Sequence, residues 1–100
     1  MPYQLITLET AAKDIVEAYN YYEKIQEGLG DRFLGEVLER YNRLSKHPQY
    51  YGFIDDQHKI RDVMLRSFPY QIVYENENEN VIIYSVHNCS RNPEKRFTKR

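Results

Sequence analysis

Three side chains in this sequence could together move protons and hold phosphate. His87 carries an imidazole, whose ordinary pKa lies near neutrality, so it can accept or donate a proton at physiological pH. Arg66 and Arg91 carry guanidinium forks that match the oxygens of a phosphate. His87 and Arg91 fall at the end of the last expected strand and in the turn after it, and Arg66 ends an earlier strand. A sheet could therefore bring all three to one end. Lys59, Arg61 and Arg96 form a second basic set, suited to binding a target or a phosphate backbone. A plainer reading stands beside this one. A histidine at a strand end more often caps a turn, and Arg61 and Arg66 can pair with Asp55, Asp56 or Asp62 in surface ion pairs that contribute little. Arg61 lies five residues before Arg66, so on a regular strand they point to opposite faces unless a bulge intervenes.

Other chemistries are poorly supplied. His87 and Cys89 stand two apart with no second Cys/His pair, short of the roughly four ligands of a zinc site, so neither a metal nor a cofactor is expected. Cys89 has no activating base placed for it. The glycines of Glu27–Gly30 lie between two helical patterns and read as a turn, not as a phosphate cradle. Of the ten tyrosines, Tyr19, Tyr22 and Tyr41 fall at core spacing. Tyr50 and Tyr51 are adjacent, so on a strand one of them must face outward.

The elements that position these groups follow from periodicity. Residues 3–8 alternate as a short strand. Thr10 reads as an N-cap, and Ala12, Ile15, Tyr19, Tyr22 and Ile25 mark one face of a helix from Ala11 to Gln26. Gly28-Leu29-Gly30 ends it. Asp31 opens a second helix with a stripe of Leu29, Phe33, Val37, Leu38, Tyr41 and Leu44, and Pro48 closes that one. The short connection forces an antiparallel helical hairpin. Residues 50–54, 58–66, 70–76 and 80–87 then read as strands, with Glu75–Asn80 as a polar hairpin tip. The expected fold is α+β: a β-α-α-β-β-β-β order in which the hairpin packs on one face of a mostly antiparallel sheet. The other face is expected to be partly open and to offer a basic concave surface.

Length and charge bound the rest. One hundred residues make a single domain, 1–100, with a short basic tail at 91–100. One cysteine argues for a reducing compartment. No apolar run reaches the roughly 18–20 residues of a membrane span, and the first ten residues lack a signal-peptide pattern. A cytoplasmic protein with no membrane partner is expected. The net charge of -1 is an average over a split chain: residues 57–69 carry +2, residues 86–100 carry +4, and the remainder carries -7.

Several stretches carry a resemblance. They are A-x-x-D-I-x-E-A-x-x-Y-Y-E at Ala11–Glu23, E-G-L-G-D-R-F at Glu27–Phe33, L-R-S-F-P-Y-Q-I-V-Y at Leu65–Tyr74 and V-H-N-C-S-R-N-P at Val86–Pro93. Together they resemble the RelE/ParE superfamily, the toxin halves of bacterial type II toxin–antitoxin systems. The resemblance implies the same α+β architecture, a small cognate antitoxin that wraps and blocks the toxin, and a toxin–antitoxin hetero-oligomer. It implies one of three activities. A ParE-like member poisons DNA gyrase by binding, a RelE-like member cuts mRNA on the ribosome, and an inactive member keeps only antitoxin binding. Under the RelE-like reading, His87 is acid or base and Arg91 and Arg66 hold the scissile phosphate. RelE-like nucleases commonly carry an arginine where this chain has Gln71, which cannot supply positive charge. The F-P-Y and R-N-P pieces place the resemblance closer to the ParE side.

Overall fold

The computed structural model describes residues 2–89. In it the chain runs β1 (Gln4–Thr7), α1 (Glu9–Ile25), α2 (Leu29–Lys46), a 3-10 turn (Pro48–Tyr50), β2 (Phe53–Asp55), β3 (Ile60–Met64), β4 (Tyr70–Glu77) and β5 (Asn80–Asn88). The strands form one sheet in the order β1-β5-β4-β3-β2, antiparallel except where β1 lies parallel to β5. This is the α+β arrangement that periodicity predicts, with the helical hairpin on one sheet face.

The helices differ from expectation at their ends and in rotation. Helix α1 starts at Glu9, and Thr10 does not cap it; the Thr10 hydroxyl instead donates to the Tyr84 carbonyl at 2.9 Å. Its buried residues are Ala11, Ala18 and Tyr22, whereas Ala12 and Ile25 face out. Helix α2 begins at Leu29, ahead of Asp31. Gly28 takes a left-handed backbone, φ 89°, that other residues resist. The Glu23 carboxylate accepts the amides of Gly28 and Gly30, each at 2.9 Å, and so satisfies donors that a helix start leaves open. Leu38, placed on the apolar stripe by spacing, is exposed.

The expected strand at 50–54 is realised only at its end: Tyr50 closes the 3-10 turn, Tyr51 and Gly52 are irregular, and Phe53 and Ile54 begin the three-residue β2. Tertiary hydrogen bonds explain this. The buried Tyr74 hydroxyl donates to the Pro48 carbonyl at 2.6 Å, and Arg61 donates to the carbonyls of Gln49 and Tyr51. The polar tip is also shorter than expected: β4 and β5 pair up to Glu77 and Asn80, and Asn78 turns the chain at φ 56°.

Tyr70, Ile72, Tyr74, Val63, Val81, Ile83 and Val86 supply the sheet side of the core against Ala11, Ala18, Tyr22, Phe33, Val37 and Leu44. By the ladder register, the opposite face of the two central hairpin strands presents Ile60, Asp62, Met64, Gln71, Val73 and Glu75. Those six include no lysine or arginine, so the expected basic concave surface is not found there among the described residues. Gln71 and Val73 are buried, and Gln71 donates to Asp62 at 2.9 Å.

Gly30 marks a close approach of the two helices: a Cβ there would lie 2.7 Å from the Tyr19 carbonyl oxygen and 2.8 Å from Glu23 Oε1. Gly30→Ala is therefore expected to destabilise the protein by about 1–3 kcal/mol. A urea titration should show a lower midpoint with an unchanged slope.

Candidate functional site

Strand β1 covers β5 only as far as the Thr7–Ile83 pair, which leaves residues 84–88 without a strand on that side among the described residues. Unpaired backbone edges need partners. Here α1 supplies them: Leu8 N–H donates to the Ile83 carbonyl at 3.1 Å, Thr10 donates to the Tyr84 carbonyl, and Asp14 Oδ2 accepts the Val86 amide at 3.0 Å. A cleft of about 450 Å³ lies between α1 and the end of β5, with Asp14, Glu17, Tyr21, Lys24, Tyr70, Val86, His87 and Asn88 in its lining.

The Asp14 and Glu17 carboxylates, the His87 imidazole and the Lys24 ammonium all line this cleft. Burial raises the Asp14 carboxyl above its ordinary range; the Val86 amide pulls it down, Glu17 pushes it up, and His87 pulls it down, with a net rise. The Nε2 of His87 is buried and has no hydrogen-bond partner among the described residues. The site therefore holds a group able to move a proton. Sequence reasoning missed Asp14, although the signal was present: an aspartate three residues after Ala11 and four before Ala18 sits on the buried side of its helix.

The described cations named from the sequence go elsewhere. Arg66 does not line the cleft; its guanidinium donates to Glu39 of α2 at 3.0 Å. The backbone amides of Arg66 and Ser67 both donate to Glu36 Oε1 at 2.9 Å. Burial opposes the charge on Glu36, but those amides and Arg66 outweigh it and hold the carboxyl below its usual range. Arg61 lies on the core-side face, paired with Tyr74 in the ladder and stacked 4.0 Å from the Phe53 ring centroid. Lys59 sits in the β2–β3 turn at φ 61°, 3.8 Å from Asp56. Arg91 and Arg96 lie outside the described residues. Of the four named residues that are described, only His87 lines the cleft, and Arg66, expected to converge with it, is held on Glu39 instead. Among the described residues no cluster of three or more His, Cys, Asp or Glu could hold a metal ion, and no helix is long and apolar enough to cross a membrane.

Asp14 gives a pH signature. A carboxyl whose folded pKa is raised favours folding fully below its unfolded value, and that contribution is lost as pH rises through the folded pKa. Asp14→Asn keeps an oxygen for the Val86 amide and cannot titrate. The variant is expected to gain stability relative to wild type between about pH 4 and pH 7, read as urea midpoints across that range.

Comparisons with known proteins follow the same lines as the fold. The family model for the ParE toxin of the type II toxin–antitoxin system, parDE, matches residues 5–93. Among solved structures, the chain is similar to the chromosomal ParDE toxin–antitoxin system from P. aeruginosa, with TM-score 0.75 and 17% identity over 86% of this chain and 95% of that one. It is similar to the RelBE2 toxin–antitoxin complex from Mycobacterium tuberculosis, with TM-score 0.64 and 20% identity over 88% of this chain and 99% of that one. A double arginine-to-alanine mutant of the E. coli toxin RelE in the free state matches with TM-score 0.53 and 19% identity over 93% of this chain and 90% of that one. No curated protein sequence matches significantly.

Proposed function

The chain belongs to the ParE toxin family of type II toxin–antitoxin systems, and from that premise we propose that it arrests growth by binding DNA gyrase and is held inactive by a small cognate antitoxin. The observation that supports a binding poison over a nuclease is the use made of the strand cations. Cleavage through a 2'-hydroxyl needs a proton acceptor, a proton donor and a positive clamp on the phosphate. Here Arg61 supports a turn, Arg66 is drawn onto Glu39, and Gln71 occupies the sheet beside Asp62. The described residues leave His87 with no arginine near it in the cleft.

The test is induced expression in a bacterial host, with purified gyrase assayed in parallel. Growth arrest with intact mRNA and loss of gyrase supercoiling is the expected result, and co-expression of the neighbouring antitoxin restores growth. Rapid mRNA cutting would overturn the gyrase reading. An absence of any arrest would assign the chain to the inactive members that keep antitoxin binding alone.

One observation favours a second reading, ribosome-dependent mRNA cleavage: the buried Nε2 of His87 lacks a partner among the described residues, as a proton-transfer group awaiting substrate would. The two readings separate at His87→Ala. A gyrase poison keeps its toxicity in this variant, whereas a nuclease loses about 10²–10⁴-fold in cleavage rate.

A further inference from the structure

Between Glu39 and Asp55 the chain has no carboxylate side chain, yet it carries Arg40, Arg43, Lys46, His47 and three tyrosines. The charge division of the sequence hides this segment inside the acidic remainder. Arg43 lies in the last turn of α2, and His47, the residue that follows the helix, donates its backbone amide to the Arg43 carbonyl at 2.8 Å. The 3-10 turn brings Tyr50 and Tyr51 against them, and these four residues line a cleft of about 280 Å³. It shares no residue with the His87 cleft. Among the described residues no carboxylate pairs with Arg43.

Cations at a helix C-terminus are ordinary, because they oppose the negative end of the dipole. That accounts for Arg43 and leaves Tyr50 unexplained. The residue is 80% exposed, yet its backbone is pinned from below by Tyr74 at Pro48 and by Arg61 at Gln49 and Tyr51. The ring also stands edge-on to Tyr51, with centroids 5.1 Å apart and planes at 88°. An aromatic surface held on a fixed backbone loses little freedom when something stacks on it.

We propose that this cleft binds single-stranded nucleic acid, with one base stacked on Tyr50 and the adjoining phosphate at Arg43 and His47. The chemistry selects that ligand. A planar apolar body suits the tyrosine face and an anion suits the cations beside it, with no carboxylate in the lining to repel it. An acidic peptide brings the anion without a plane to stack, and a duplex keeps its base faces covered. The proposal stands apart from the gyrase reading, because the assay that tests it contains no gyrase.

The test titrates the full-length protein into a short fluorescein-labelled oligo(dT) and reads anisotropy. Wild type binds, and added salt weakens the complex. Tyr50→Ala and Arg43→Gln are each expected to weaken binding about tenfold, while Tyr50→Phe keeps it, because the ring and not the hydroxyl does the stacking. Circular dichroism checks that each variant is folded, and the exposure of Tyr50 makes its loss tolerable. Wild-type affinity in Tyr50→Ala overturns the proposal, as does absence of wild-type binding. Equal competition by an unlabelled duplex or by an oligo-glutamate peptide overturns the assignment of the ligand. Equal losses in Tyr50→Phe and Tyr50→Ala overturn stacking.

Discussion

Four aromatic rings from four separate parts of the chain meet at one point: Tyr22 of α1, Phe33 of α2, Phe68 of the turn after β3, and Tyr70 of β4. Their centroids lie 4.8 to 6.0 Å apart, and most of the planes cross steeply. Edge-to-face contact suits the ring quadrupole and adds about 0.5–1.5 kcal/mol per pair beyond the area buried. Each ring comes from a different element or turn, so the cluster fixes the hairpin to the sheet and the β3–β4 turn to both. The Glu36 carboxylate reinforces the same turn from α2 by accepting the amides of Arg66 and Ser67.

That packing leaves the sheet with two exposed backbone problems, and each is solved by side chains that the sequence alone would assign to surface or function. Along the end of β5, beyond the reach of β1, Thr10 and Asp14 of α1 take the edge hydrogen bonds. On the far side, Tyr74 and Arg61 hold the segment between α2 and β2 in a 3-10 turn. Burial pushes the Tyr74 phenol far above its ordinary pKa, so it stays a neutral donor to the Pro48 carbonyl across the usual pH range. A guanidinium spent on backbone carbonyls is not free for a phosphate, and this ties the fold to the functional reading.

The two clefts differ in character for the same reason. The α1–β5 cleft inherits its carboxylates from a helix whose polar groups support a strand edge, and His87 brings an imidazole to it. The cleft at the end of α2 inherits its cations from a helix terminus and its exposed ring from a turn pinned to the sheet. A toxin that works by binding needs surfaces of this second kind, in which rigid backbone presents groups outward.

Periodicity and turn chemistry in the sequence determined the element order, the antiparallel hairpin and the number of strands, though not their bounds, because spacing of apolar residues and the placement of Gly28, Pro48 and the Glu75–Asn80 tip act over a few residues. The family was legible too, through F-P-Y and V-H-N-C-S-R-N-P, and so was the outward-facing tyrosine of the Tyr50–Tyr51 pair. Tertiary structure alone decided that α1 is rotated to bury Ala11 and Ala18, that residues 48–50 form a 3-10 turn, and that Arg61 and Arg66 serve the fold. Those outcomes rest on partners 10 to 74 residues away, such as Tyr51 for Arg61 and Tyr84 for Thr10. Local pattern carries no information about a hydrogen bond of that range. A charged side chain therefore looks the same in sequence whether it will meet a ligand or a carbonyl of its own chain.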